Sequence, residues 1–212
     1  MKSSKKWELT RDKYMSMDEV RRLRRSAEDR ALADLAKGRT TAVRTWAVID
    51  LALSTGLRVS EIAELKISDL NLNGPEPQLL VRNGKGGKPR TVTLPQDLRR
   101  HLREFLAWKK RLKEKTGPED HLFVSERGDR FTTRGLQYLF KQAAEKAGLP
   151  SHFSIHACRH SYGTYLYQKT KDLRLVQDQL GHSSPIVTQV YSHITPEERV
   201  RSVNGLWSEK ED

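Results

Sequence analysis

Thr55-Gly56-Leu57-Arg58-Val59-Ser60-Glu61 sets an arginine directly after a helix-stopping glycine. Such a junction offers backbone N–H groups and a guanidinium fork to an anion. Asn83-Gly84-Lys85-Gly86-Gly87-Lys88 places lysines at the tip of a turn whose glycines let the backbone approach a ligand. It lacks the GxxxxGK[ST] pattern and lies between strands, so it is not a phosphate loop of that kind. In His156-Ala157-Cys158-Arg159-His160 the residues His156 and Arg159 are three apart and share a helix face. Leu180-Gly181-His182-Ser183-Ser184-Pro185 joins two helical segments, and Tyr191 follows nine residues after His182. A tyrosine, with a pKa of about 10, becomes a nucleophile only when cations depress that value or a base takes its proton.

Each segment also has a bland reading. Arg58 fits a surface loop, the hairpin tip a solvated turn, His156 a hydrogen-bonded residue at a helix start, and Tyr191 a half-buried packing residue. The spacing of His152, His156 and His160 invites a metal. Ala157, however, occupies the glutamate position of HExxH and no acid follows nearby, so no metal site is expected.

Taken together, in this order and spacing, the four segments resemble the tyrosine recombinase (phage integrase) family, which includes the Xer, Cre and lambda-integrase proteins. TGLRVSEI, NGKGGK, HACRH and LGHSSPIVTQVY carry the resemblance, which spans residues 16–207. It implies that Tyr191 attacks a DNA phosphodiester to form a 3′-phosphotyrosyl bond, releasing a 5′-hydroxyl. Arg58 and Arg159 would fork onto the nonbridging oxygens, and His156 would take the tyrosine proton. Lys85 would protonate the departing 5′-oxygen and His182 would hydrogen-bond the phosphate. Glu61 would orient Arg58, with His160 in support, while Lys88, Arg82 and Arg90 around the hairpin would bind DNA. Because the phosphotyrosine keeps the bond energy, neither ATP nor a metal is required, and no cofactor is expected.

The resemblance further implies double-stranded DNA as partner, a monomer free in solution, a homotetramer on paired sites and accessory DNA-bending proteins. Most of the family carries an N-terminal helical domain that clamps the other face of the DNA, and Arg58 comes too early for one. Either an excised catalytic domain or a short recombinase similar to the fimbrial switch invertases accounts for this. The expected organisation is a basic arm over residues 1–15 and a catalytic domain over residues 16–212. A type IB topoisomerase and a DNA-binding regulator without catalysis are the rival readings. An RNA-binding module lacks its stacking sheet, since aromatics make up only 7% of the chain and are scattered.

The elements that must position these residues are mostly helical. Ser16 followed by Glu19 is a capping box that opens a helix running to about Gly38. Residues 41–55 form a second helix stopped by Gly56, and Ser60–Leu65 a short third. Residues 78–82 and 90–94 read as strands of a β-hairpin turned by residues 83–87, and Leu122–Val124 as a short third strand. Pro95–Lys113 and Thr132–Ala147 are helices, as are 156–169, 172–180, 185–191 and 196–207. The fold class is therefore mainly α with a small antiparallel sheet, and the first 15 residues read as a mobile or extended arm.

Composition agrees with this class. The 212 residues carry 39 Lys+Arg against 27 Asp+Glu, a net charge of +12. Residues 81–115 alone hold twelve basic side chains against Asp97, Glu104 and Glu114, a density suited to a polyanion. The single cysteine, Cys158, excludes an intrachain disulfide and a cysteine-only zinc site. No apolar run approaches the roughly 20 residues of a membrane span. The expected setting is cytoplasmic and nucleoid-associated.

Overall fold

In the computed structural model, residues 10–84 and 88–181 are described. After a short 3-10 turn (Arg11–Lys13) come α1 (Met17–Ala36), α2 (Thr41–Thr55), α3 (Val59–Glu64) and a second 3-10 turn (Ile67–Asp69). Strands β1 (Leu70–Asn71), β2 (Gln78–Val81) and β3 (Arg90–Thr93) precede α4 (Gln96–Arg111), α5 (Thr133–Lys146), α6 (His156–Thr170) and α7 (Leu173–Leu180). Helix α2 lies at the centre because Val43, Ala47, Val48, Ile49, Leu51, Ala52 and Leu53 are all buried. A helix apolar on nearly every side has to be enclosed, and α1, α4, α5 and α6 enclose it. Helix α6 approaches through small residues, burying Ala157, Cys158, Ser161, Gly163 and Thr164.

Local chemistry sets the helix ends. Ser16 Oγ accepts from Glu19 N at 3.1 Å while Ser16 N donates to Glu19 Oε2 at 2.6 Å, the reciprocal box expected at the start of α1. Asp172 Oδ1 accepts from Arg174 N and Leu175 N and caps α7. Helix α4 buries Leu98, Leu102, Phe105 and Trp108 on one face and exposes Arg100, Arg103, Lys110 and Arg111 on the other. Its basic outer face is thus a consequence of period 3.6.

The sheet runs β1-β2-β3, antiparallel throughout, with Leu79 opposite Val92 and Val81 opposite Arg90. One expectation is corrected here. Leu122–Val124 is not a strand: His121 and Val124 make single bridges to Lys66 and Arg130, while Leu122 and Phe123 are buried in the core. The edge partner of β2 is instead Leu70–Asn71, too short to show a period. The last part of the expected arm is docked on the domain. Met15 is fully buried, its N donates to Ser161 Oγ at 2.9 Å, and its carbonyl accepts from Tyr165 Oη at 3.0 Å. Tyr14 joins Tyr162, Leu166 and Tyr167 around Val176 and Leu180 in a small second core. Residues 10–15 therefore belong to the folded unit. Residues 1–9 and the helices expected at 185–191 and 196–207 lie outside the described residues. No helix among the described residues is long and apolar enough to cross a membrane.

Candidate active site

Arg58 owes its place to the end of α2. Gly56 takes φ +62°, and a Cβ there would stand 2.7 Å from Tyr162 Cδ1 and 2.8 Å from Leu180 Cδ2. Glycine alone meets both demands, a left-handed backbone and a close approach. The chain then extends through Arg58 (φ −70°, ψ 151°) into α3. Glu61, one turn into α3, receives Arg58 N on Oε2 and Arg58 Nη1 on Oε1, both at 2.8 Å. The Arg58 side chain keeps 24% exposure, against 3% for Glu61. Burial alone would raise the Glu61 carboxyl, but the hydrogen bonds and charges of Arg90 and Arg58 hold it below the ordinary carboxylate value.

Arg159 comes to the same place from α6. It is buried, with Nη1 donating to Gly56 O and Nη2 to Leu180 O, each at 2.7 Å. These carbonyls lie at the C-terminal ends of α2 and α7, where the helix dipoles are negative and favour a cation. Arg159 thereby ties three helices together around one guanidinium. His156, exposed at the first position of α6, has its pKa lowered by partial desolvation and by the charges of Arg159 and Arg58. Arg159 follows His156 by less than one turn of α6 and holds the carbonyl of Gly56, two residues before Arg58, which brings both arginines to this end of α6. His160 is pushed down to about 4 by burial, then by Arg159, His156 and Lys13. The start of the chain docks beside this part of α6, through Met15 on Ser161.

The hairpin delivers its cations unequally. Gly84 N donates to Lys88 O at 3.1 Å and closes the base of the turn, with Lys88 exposed. Lys85 at the tip lies outside the described residues, as do His182 and Tyr191. Arg82 donates Nε to the buried Asp69 Oδ1 at 2.5 Å and Nη2 to Ser68 Oγ at 3.0 Å, yet its side chain stays 46% exposed. Arg90 departs from the expectation of a DNA contact. Its side chain is 11% exposed and its guanidinium is turned inward onto Glu61, through Nη1 to Oε1 at 2.8 Å and Nη2 to Oε2 at 2.9 Å. A buried carboxylate captures the nearest bidentate donor, and sequence spacing carried no sign of a partner 29 positions away.

Tyr162 was not singled out by its sequence setting, and it packs under Gly56. Burial raises its hydroxyl to about 12, the opposite of what a nucleophile needs. Burial likewise raises the Cys158 thiol and leaves it unreactive. Among the described residues no group of three or more His, Cys, Asp or Glu is placed to hold a metal ion. His152 packs its ring on Phe153, 4.3 Å between centroids.

Two arginines and an imidazole, gathered where α2, α6 and α7 meet beside a β-hairpin, define a fold that solved structures share. The crystal structure of XerA recombinase covers 92% of this chain and 64% of its own, with 31% identity and a TM-score of 0.72. The XerH site-specific recombinase bound to difH substrate covers 95% and 55%, with 28% identity and a TM-score of 0.75. Residues 13–198 match the phage integrase family, and the chain belongs to it. Tyrosine recombinase XerD of Oceanobacillus iheyensis is 36% identical over 182 residues, covering 85% of this chain and 57% of the relative. Tyrosine recombinase XerD of Ralstonia nicotianae is 40% identical over 167 residues, 77% of this chain and 52% of the relative. The chain thus spans about half the length of these relatives.

Proposed function

We propose that this chain is the catalytic part of a site-specific DNA recombinase that breaks and rejoins strands through Tyr191. The observation that carries the reading is the convergence of Arg58, Arg159 and His156 where α2, α6 and α7 meet. In sequence, His182 follows directly on the end of α7. Tyr191 Oη attacks phosphorus and gives its proton to neutral His156; the P–O5′ bond breaks and Lys85 protonates the departing oxygen. Arg58 and Arg159 stabilise the charge on the nonbridging oxygens, where oriented donors act without reorganising. His182 adds a hydrogen bond. A 5′-hydroxyl from another strand then reverses the steps and restores the phosphodiester. The bond energy stays in the phosphotyrosine, so ATP and metal have no part.

The partner is double-stranded DNA, engaged by Lys88, by the exposed part of Arg82 and by the exposed cations of α4. XerH bound to difH supports this as a structural relative. The working assembly is a tetramer on two paired sites, assembled from monomers, with DNA-bending proteins setting direction.

The test is covalent trapping on nicked suicide duplexes cut from DNA flanking the gene. Denaturing electrophoresis should show a DNA–protein adduct that the Tyr191→Phe variant lacks. Arg58→Ala and Arg159→Ala should bind the duplex and cleave on the order of 10² to 10³ more slowly. Normal cleavage by either arginine variant, or an adduct that survives Tyr191→Phe, would sink the assignment.

A further inference from the structure

Resting on that reading, we infer that Arg90 is a positioning residue that keeps Arg58 available to the phosphate and ties it to the end of α7. It is not a DNA contact. The Glu61 carboxylate receives four donors: Arg58 N, Arg58 Nη1, Arg90 Nη1 and Arg90 Nη2. The Arg90 fork takes one position on each oxygen, so Arg58 reaches Glu61 by a single guanidinium nitrogen. Among the described residues the Arg58 guanidinium makes no other hydrogen bond. Without Arg90, an unshared buried carboxylate would draw Arg58 into a bidentate fork of its own and away from an anion. Arg90 also keeps this cluster cationic, since two guanidinium groups face one carboxylate.

The other side of Arg90 leans on α7. Its Nε donates to Gln179 O at 3.3 Å. A Cβ on Gly181 would come within 2.5 Å of Arg90 Cδ, 2.7 Å of Nε and 2.9 Å of Cζ. Such a clash is cheap against a free side-chain end, but Arg90 is pinned by Glu61. The glycine that ends α7 (φ +65°) therefore leaves room for the pinned Arg90 side chain, one residue before His182 in sequence. Arg58, Glu61, Arg90 and Gly181 form one continuous chain of contacts from α3 through β3 to α7.

The experiment compares wild type, Arg90→Lys, Arg90→Ala and Gly181→Ala in single-turnover cleavage of the suicide duplex, well below each thermal midpoint and at saturating DNA. Duplex affinity is measured in parallel against salt. Lysine keeps the charge but cannot fork, so both Arg90 variants should keep the wild-type salt slope while cleaving on the order of 10²-fold more slowly. Gly181→Ala, which displaces an intact Arg90, should also slow cleavage. In an Arg58→Lys background the loss of Arg90 should cost no more than about 3-fold, because the group it positions is already altered. Wild-type cleavage by Arg90→Lys would overturn the inference. So would a salt slope lowered by about 1 in Arg90→Ala with its cleavage restored at saturating DNA, the signature of a phosphate contact. Full additivity with Arg58→Lys would overturn it too. A wild-type protein that forms no adduct would instead remove the recombinase reading on which the inference stands.

Discussion

His156 and His160 lie one turn apart on α6, and both have lowered pKa values, yet the consequences of those shifts differ. His156 presents its ring at the surface, yet partial desolvation, and then the charges of Arg159 and Arg58, keep the imidazole neutral, and so able to accept a proton, to pH values below its ordinary 6.5. His160 is half-buried, with a pKa of about 4 in the folded chain. Between that value and 6.5 the unfolded state binds a proton that the folded state does not. Stability is therefore fully present above 6.5 and falls as the pH drops toward 4. Urea unfolding at pH 7 and pH 5 should differ by about 2 kcal/mol from this residue. His160→Gln should flatten that dependence, and an unchanged slope would count against the burial of its neutral ring.

At the scale of elements, the site is an arrangement of helix ends rather than of helix faces. Gly56, just past α2, and Leu180, the last residue of α7, turn their carbonyls onto Arg159, and the first position of α6 supplies His156. Two left-handed glycines, Gly56 and Gly181, make those ends compact enough to meet. Gly128 is also left-handed, at φ +85°, but a Cβ there would meet nothing within 4 Å. Gly128→Ala should therefore cost only the backbone strain, about 1 kcal/mol. Gly56→Ala adds the collision with Tyr162 and Leu180 and disturbs the carbonyl that holds Arg159. Its loss of stability in urea should exceed that of Gly128→Ala by at least about 1 to 3 kcal/mol. Equal losses would mean that the close approach is not required.

At the scale of the molecule, the site rests on a scaffold that handles its own charges away from it. Lys109 is fully buried at the end of α4 and donates to Glu114 Oε2 at 2.8 Å. Arg44 of α2, also buried, donates to both Glu114 oxygens and lies 5.1 Å from the Trp108 ring centroid. Glu114 would be raised by burial, but Arg44 and Lys109 hold it below the ordinary carboxyl value. Its contribution is thus present above the ordinary carboxyl range and is lost as the pH falls through the depressed value. Glu114→Gln leaves two enclosed cations without a counter-charge and should cost about 3 to 5 kcal/mol. Asp97→Asn, at an exposed pair with Arg100, should cost less than about 1 kcal/mol. Comparable midpoints for the two variants would show that the Glu114 cluster is solvated rather than enclosed.

Local interactions made much of this protein legible. The Ser16–Glu19 box, the stop at Gly56, the hairpin around residues 83–88 and the helical periods of α1, α2 and α4–α7 all depend on neighbours within a turn or two. The order of the motifs pointed to the phage integrase family for the same reason, since each motif is a short contiguous string. The partners of the arginines depended on contacts between distant parts of the chain. Arg82 and Arg90 sit in the same basic stretch, yet one is half exposed and the other is folded onto Glu61. Arg159 found its carbonyls 103 and 21 positions away, and Met15 found Ser161 146 positions away. Burial decides which charge must be paired, and burial follows only from how the helices pack.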